Sequence, residues 1–157
     1  MIRPPSLPDL AVLVCDASEY SRRYTREYLR AAGLKRIHEV SDAGNLRKIL
    51  LSVQPDIVLL DLDMPNLDTE RLPLSRVEKH VMPAIIALTS RPTPALIECS
   101  RQIMTGGVLV KPFTPSMLWL RLQSLAKILV SSGSHQVSLA EAQLMIDRIL
   151  GTPGAGC

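Results

Sequence analysis

The sequence predicts an α/β domain: a parallel five-stranded sheet with helices on both faces. Two observations carry this. Five short apolar runs, too brief for helices, recur about every 20 to 25 residues, and the segments between them have helical spacing. Right-handed crossovers between parallel strands then leave few topologies. Composition sets the character of the core. The 157 residues suffice for one domain plus a short appendage, and with 46% hydrophobic but only 3% aromatic residues that core must be aliphatic.

The expected strands are residues 10 to 15, 36 to 40, 57 to 60, 84 to 88 and 107 to 110. The first apolar run, Leu10 to Cys15, is shorter than the hydrophobic region of a signal peptide and Asp16 follows at once, so it reads as a strand. Ser18 can cap a first helix, and Gly33 can close it where a positive φ is needed. Tyr20, Tyr24 and Tyr28 form one stripe of that helix, expected to pack inward with hydroxyls at the rim. Arg22, Arg26 and Arg30, with Arg23 beside them, read as a solvated face, with partner docking as the sharper alternative. Leu46, Ile49, Leu50 and Val53 give the second helix its apolar face.

The third strand lies in Asp56-Ile-Val-Leu-Leu-Asp61, whose four apolar residues, two of them β-branched, suit a strand buried on both faces. Pro73 would interrupt a helix begun at Asp68 or Thr69 and pushes its regular part to 74–80. Thr93-Pro94 and Thr114-Pro115 each place a cap before a proline at the first helical position, and Leu118, Leu122, Leu125 and Leu129 give the last repeat's helix its core spacing. The main domain therefore runs over 9–130. Residues 131–137, beginning Ser-Ser-Gly-Ser, form a linker. Ser138-Leu-Ala-Glu141 is a capping box opening an amphipathic helix over 138–150, whose stripe of Leu139, Ala142, Ile146 and Ile149 packs on its own domain or on a partner. Residues 151–157 read as a flexible tail.

Several function classes drop out. No apolar run approaches the roughly 18 to 20 residues of a membrane span, so a cytoplasmic protein without a membrane partner is expected. Cys15, Cys99 and Cys157 are too scattered for a zinc site and odd in number, which fits a reducing compartment; Cys15 reads as a small buried hydrophobe before a redox sensor. A formal charge of +3 gives no argument for nucleic acid, and one amphipathic helix after residue 130 cannot make a helix-turn-helix. His38, His80 and His135 lack partners at ligand spacing.

The residues just beyond the strands are more telling. Asp16 comes after the first, Asp61 after the third, Thr89 and Ser90 after the fourth, and Lys111-Pro112 after the fifth. In open α/β sheets these carboxyl ends share one edge, where ligands collect. Two neighbouring carboxylates suit a hard divalent cation, which offsets their repulsion and leaves open positions for phosphate. A hydroxyl and an ammonium facing them suit the oxygens of a transferred phosphoryl group. The inventory is that of a phosphoryl acceptor.

Over residues 9 to 130 the chain resembles the response-regulator receiver domains of two-component signalling, of the chemotaxis-regulator type. Asp61 in Asp56-Ile-Val-Leu-Leu-Asp-Leu-Asp-Met-Pro65 matches the phosphoacceptor motif, Thr89 the hydroxyl position, and Lys111-Pro112-Phe113 the lysine motif with its usually cis proline. The resemblance implies a flavodoxin-like (βα)5 three-layer sandwich with strand order 2-1-3-4-5, here with an extra C-terminal helix. It implies phosphotransfer to Asp61 from a histidine kinase or histidine phosphotransfer protein. Mg²⁺ would sit on Asp16, Asp61 and the backbone carbonyl of Asp63, and Thr89 and Lys111 would hold the phosphoryl oxygens. The product would be a signal passed by contact to an unknown downstream protein, from a monomer or weak dimer that is not an enzyme.

Three positions depart from the family pattern. The first strand usually ends in two acids, and Cys15 replaces one, so weaker Mg²⁺ binding is expected. The aromatic switch position, three residues before the lysine, is Val108. The glycine expected soon after Met64-Pro65 is absent, and a reshaped loop is expected there. Two rival functions arise. One is a receiver-like domain that acts by contact without phosphorylation, favoured by Cys15 and Val108. The other is a haloacid-dehalogenase-like phosphatase, suggested by Asp61-Leu-Asp63; it needs a further acidic pair after the lysine, and the next acid after Lys111 is Glu141.

Overall fold

A computed structural model describes residues 7–67, 83–95, 97 and 106–131, with Leu7 and residues 128–131 described for their backbone only. A 3-10 turn at Leu7–Asp9 leads into β1 (Ala11–Cys15), followed by α1 (Glu19–Ala31), β2 (Arg36–Val40), α2 (Ala43–Val53), β3 (Ile57–Asp61), β4 (Ala84–Thr89), β5 (Val108–Val110) and α3 (Pro115–Ser131). All four strand pairings are parallel and the order is β2-β1-β3-β4-β5. This is the flavodoxin-like sheet expected from the sequence. β3 and β4 each run one residue further than expected, so that Asp61 and Thr89 are the last ladder residues of their strands, Asp61 opposite Leu88 and Thr89 opposite Val110.

β1, β3 and β4 are buried at every position, and for that reason they read as unbroken apolar runs. Alternation along the strands divides the core in two. One face gathers Val12, Val14, Ile57, Leu59, Ile86 and Leu88 with Leu29 of α1 and Leu118, Leu122 and Leu125 of α3. The opposite face gathers Leu13, Cys15, Val58, Leu60 and Ala87 with Leu46 and Leu50 of α2.

The helix ends follow local chemistry. Ser18 accepts the Ser21 amide at 3.2 Å, and Gly33 takes φ +94° beyond α1. Asp42 caps α2 by accepting the Asn45 amide at 2.9 Å, and Thr114 caps α3 by accepting the Met117 amide at 3.2 Å. After Pro94 a helical turn begins, with the Ile97 amide on the Thr93 carbonyl at 3.0 Å. In the loop that lacks the expected glycine, Asn66 takes the left-handed position at φ 58°, a conformation asparagine tolerates better than most side chains.

Two expectations need correction. The tyrosine stripe does not turn inward as a whole: Tyr24 and Tyr28 pack against the core, but Tyr20, in the first turn, is 79% exposed. Nor is the arginine stripe uniformly solvated. Arg22 and Arg26 reach across to Glu39 of β2 at 3.6 and 2.7 Å, while Arg23 stays exposed beside Glu27. The helix expected over 74–80, the linker 132–137, the helix over 138–150, the tail 151–157 and the side chain of Leu129 lie outside the described residues.

Leu59 is fully buried in the central strand, whereas Leu120 on α3 is 65% exposed. Leu59→Ala is expected to cost about 2 to 5 kcal/mol of unfolding free energy, and Leu120→Ala no more than about 0.5 kcal/mol, as read from urea midpoints at constant m-value.

Candidate functional site

The carboxyl edge of the sheet brings the four sequence-derived residues to one place. Asp16 leaves β1 and is fully buried, Asp61 ends β3 at 5% exposure, and Thr89 ends β4 at 1%. Lys111 follows β5, positioned by its amide on the Thr89 carbonyl at 2.8 Å, and the Lys111-Pro112 bond is cis. Its ammonium lies 2.6 Å from Asp16 Oδ2 and 3.4 Å from Asp61 Oδ2. One cation thus serves two acids on neighbouring strands.

Asp16 is held from all sides. Its Oδ1 accepts the Ser18 amide at 2.9 Å; its Oδ2 accepts the Ser21 hydroxyl at 2.5 Å as well as Lys111. Its backbone carbonyl accepts Arg22 Nη1 at 2.7 Å, and its amide donates to the Val40 carbonyl. Asp61 is less constrained, with the Asp63 amide donating to its Oδ1 at 2.9 Å. Burial pushes the Asp61 carboxyl above its ordinary range; the Asp63 amide and Lys111 pull it down, and the charges of Asp16 and Asp63 push it up again. Burial works against the charge on Lys111, but its hydrogen bond to Asp16 and the two carboxylates hold its pKa above the ordinary lysine value. A carboxylate that is costly to keep charged, beside an ammonium that stays charged, leaves a positive group at hand for an incoming anion.

Thr89 sits at the site but faces sideways. Its hydroxyl donates to Asp63 Oδ1 at 2.9 Å and accepts the Arg91 amide at 3.1 Å. The other Asp63 oxygen accepts both the amide and the hydroxyl of Ser90 at 2.7 Å. Partial burial would raise the Asp63 carboxyl, but the Ser90 and Thr89 hydrogen bonds hold it below its usual range. Within the receiver resemblance only the backbone of Asp63 had a role, and its side chain entered only in the phosphatase rival, so its side chain as a receptor for Thr89 and Ser90 is new. Ser21 and Arg22 were also missed as site residues. The available signal was the polar Ser21 and Thr25, one turn apart on the buried face of α1.

Cys15, in the place of an expected acid, is buried among Val58, Leu60 and Leu46, and burial followed by the nearby Asp16 charge drives its thiol far above the ordinary cysteine range. It is a small hydrophobe, not a thiolate. Val108 opens β5, half-buried against the same cluster.

Among the described residues no three carboxylate, thiol or imidazole side chains converge as a metal cluster. The donor chemistry nonetheless fits a hard divalent cation, since the two carboxylates already draw one positive charge between them and would offer oxygen donors to a metal.

Comparison with known proteins gives a consistent result. The sequence pattern of the response regulator receiver domain matches residues 12–123. A probable chemotaxis protein CheY of Rhizobium etli is 30% identical over 107 residues, covering 67% of this chain and 83% of the relative. The transcriptional regulatory protein PdtaR of Mycobacterium tuberculosis is 29% identical over 107 residues, covering 68% of this chain and 52% of its own, so the chain matches about half the length of that relative. In structure, the chain superposes on the chemotaxis response regulator CheY4 of Vibrio cholerae with a TM-score of 0.62 at 24% identity, covering 74% of this chain and 98% of the other. The receiver domain of a sensor histidine kinase from Pseudomonas aeruginosa, with a magnesium ion coordinated in its active site cleft, superposes with a TM-score of 0.62 at 22% identity, covering 75% and 98%. At these identities the two structures speak for the fold.

The raised Asp61 carboxyl has a consequence for stability. The folded protein keeps that proton to higher pH than the unfolded chain does, so the associated stability is present at low pH and is lost as pH rises through the folded pKa. Asp61→Asn, with no charge to bury, is therefore expected to melt above wild type at neutral pH, with the gap closing as the pH falls below the ordinary carboxyl value of about 4. Thermal melts of both proteins across that range check this; equal melting temperatures at neutral pH contradict it.

Proposed function

The chain belongs to the response regulator receiver domain family, and on that footing we propose that it accepts a phosphoryl group on Asp61 from a histidine kinase or histidine phosphotransfer protein and signals through contact with another protein. The observation that carries this reading is the Lys111 ammonium shared by Asp16 and Asp61 at the sheet's carboxyl edge. An Asp61 oxygen attacks the phosphorus of a phosphohistidine; a P–O bond forms, the P–N bond breaks, and the imidazole nitrogen keeps the electron pair. Lys111 then turns from the carboxylates to an oxygen of the new acyl phosphate. Thr89 supplies the second donor by rotating its hydroxyl away from Asp63. Asp16, Asp61 and the backbone carbonyl of Asp63 are the groups that would hold Mg²⁺, whose part is to neutralise charge on the phosphoryl oxygens.

The phosphoryl group brings about −1.5 to −2 charges. Two charge-assisted hydrogen bonds at roughly 1.5 to 3 kcal/mol each total about 3 to 6 kcal/mol, and moving a two-state equilibrium from 1:99 to 99:1 takes about 5.5. Phosphorylation is thus strong enough to switch the domain, with a narrow margin. A second reading, a receiver that acts by contact without phosphorylation, is favoured by the loss of an acid at Cys15 and of a ring at Val108.

Incubation with Mg²⁺ and a small-molecule phosphodonor should leave one phosphoryl adduct on wild type and none on Asp61→Asn by intact mass. Adducts on both proteins, or on neither, would count against phosphorylation at Asp61, and no adduct on either would favour the second reading. Cys15→Asp restores the missing acid, and calorimetric titration should show Mg²⁺ binding tighter than in wild type; equal affinity would remove Cys15 as the cause of weak binding.

A further inference from the structure

Asp16 is a carboxylate with little acceptor capacity left. A carboxylate offers about four lone-pair directions. Oδ2 receives both Ser21 Oγ at 2.5 Å and Lys111 Nζ at 2.6 Å, and Oδ1 receives the Ser18 amide at 2.9 Å. Oδ2 is also the Asp16 oxygen that shares the Lys111 ammonium with Asp61 Oδ2. A cation that takes the place of the Lys111 ammonium between the two acids therefore meets Asp16 at its most heavily engaged atom.

Of the two donors on Oδ2, Lys111 has work elsewhere once a phosphoryl group arrives, whereas Ser21 does not. Ser21 lies in the first turn of α1, 5% exposed, and its backbone amide is already committed to the Ser18 cap. Its hydroxyl shares a further hydrogen bond with Tyr24 Oη at 3.2 Å. The 2.5 Å contact to a buried carboxylate is of the charge-assisted kind, roughly twice as strong as a neutral hydrogen bond. It is made without Lys111.

We propose that Ser21 is a positioning residue that sets the divalent-cation affinity of the site, by holding with a protein hydroxyl the Asp16 oxygen that a metal needs. The inference rests on the phosphoacceptor reading and deepens it. Ser21 and Cys15 act in the same direction: Cys15 removes a negative charge beside the site, and Ser21 occupies a lone pair on the acid that remains. A metal that takes Asp16 Oδ2 does so in competition with the Ser21 hydroxyl.

Calorimetric titration of the full chain with Mg²⁺ tests this. Ser21→Ala frees the oxygen while Ser18 and Lys111 still orient Asp16, and it should bind Mg²⁺ about tenfold more tightly than wild type, as expected for loss of one hydrogen bond to a charged group. Ser21→Thr keeps the hydroxyl and should bind like wild type. If Ser21→Ala does not fold by circular dichroism, Ser21→Cys, isosteric with a weak donor, takes its place with the same expected direction. A role confined to holding α1 would lower the melting temperature without metal and leave Mg²⁺ affinity unchanged; unchanged or weaker affinity overturns the proposal. If Asp61 takes the phosphoryl adduct and neither wild type nor the Ser21 variant binds Mg²⁺, the Ser21 inference alone fails. If wild type takes no adduct, the phosphoacceptor reading itself fails.

Discussion

The contact on which this structure turns is the Lys111 ammonium between two buried carboxylates. Parallel pairing of β1 with β3 puts the ends of two neighbouring strands about 4.8 Å apart, and each end carries an acid. Two such charges out of water repel, and without a cation between them one would take up a proton. The lysine comes from beyond β5, two strands away from β3, so its long side chain must be aimed across the sheet edge. What aims it is the fold's aromatic seam.

That seam is small because the chain has only five aromatic residues: three Tyr, one Phe and one Trp. They gather along α1 and α3. Phe113, two residues after Lys111, meets Tyr24 and Tyr28 edge to face at 5.6 and 6.2 Å, and Trp119 donates to the Tyr28 carbonyl at 2.8 Å. The lysine loop is thereby tied to α1, the helix that also supplies Ser21 and Arg22 to Asp16. Arg22 and Arg26 in turn clamp α1 to Glu39 on β2. The acids, the cation and the hydroxyl on Asp16 are positioned by one connected framework, in a core otherwise aliphatic.

Strand-scale features were legible in the sequence because their causes are local. A central strand buried on both faces must be a short apolar run, and a cap must stand just before its helix; Leu10 to Cys15, Ser18 and Thr114 show this. Asp16, Asp61, Thr89 and Lys111 were legible for a related reason, since each stands at the end of a strand and parallel strands share a carboxyl edge. The partners of Arg22 and Arg26 were not, because periodicity shows which residues share a helix face but not that Glu39 of β2 lies opposite. The Ser21 hydroxyl escaped for the same reason: its acceptor precedes the helix, and only the packing of α1 on the sheet brings them together. Asn66 is a third case, a left-handed residue in the loop that lacks the expected glycine, set by a turn that sequence spacing alone does not define.

The way a change at Asp61 could leave the site also derives from side-chain mechanics. Val108 is β-branched, stiff at χ1 and packed against the cluster that holds Met64 and Ala87, so it has no ring to swing and little freedom to move. Thr89 is differently placed. For its hydroxyl to reach an oxygen on Asp61 it must leave Asp63, and Asp63 still keeps both Ser90 donors when it does. The rotation therefore strands no buried charge. It does disturb the Arg91 amide, which donates to the same Thr89 oxygen. The polar contacts of Thr89 thus tie Asp63 and the start of the segment after β4 to one hydroxyl, whereas the position three residues before Lys111 offers only the branched aliphatic side chain of Val108.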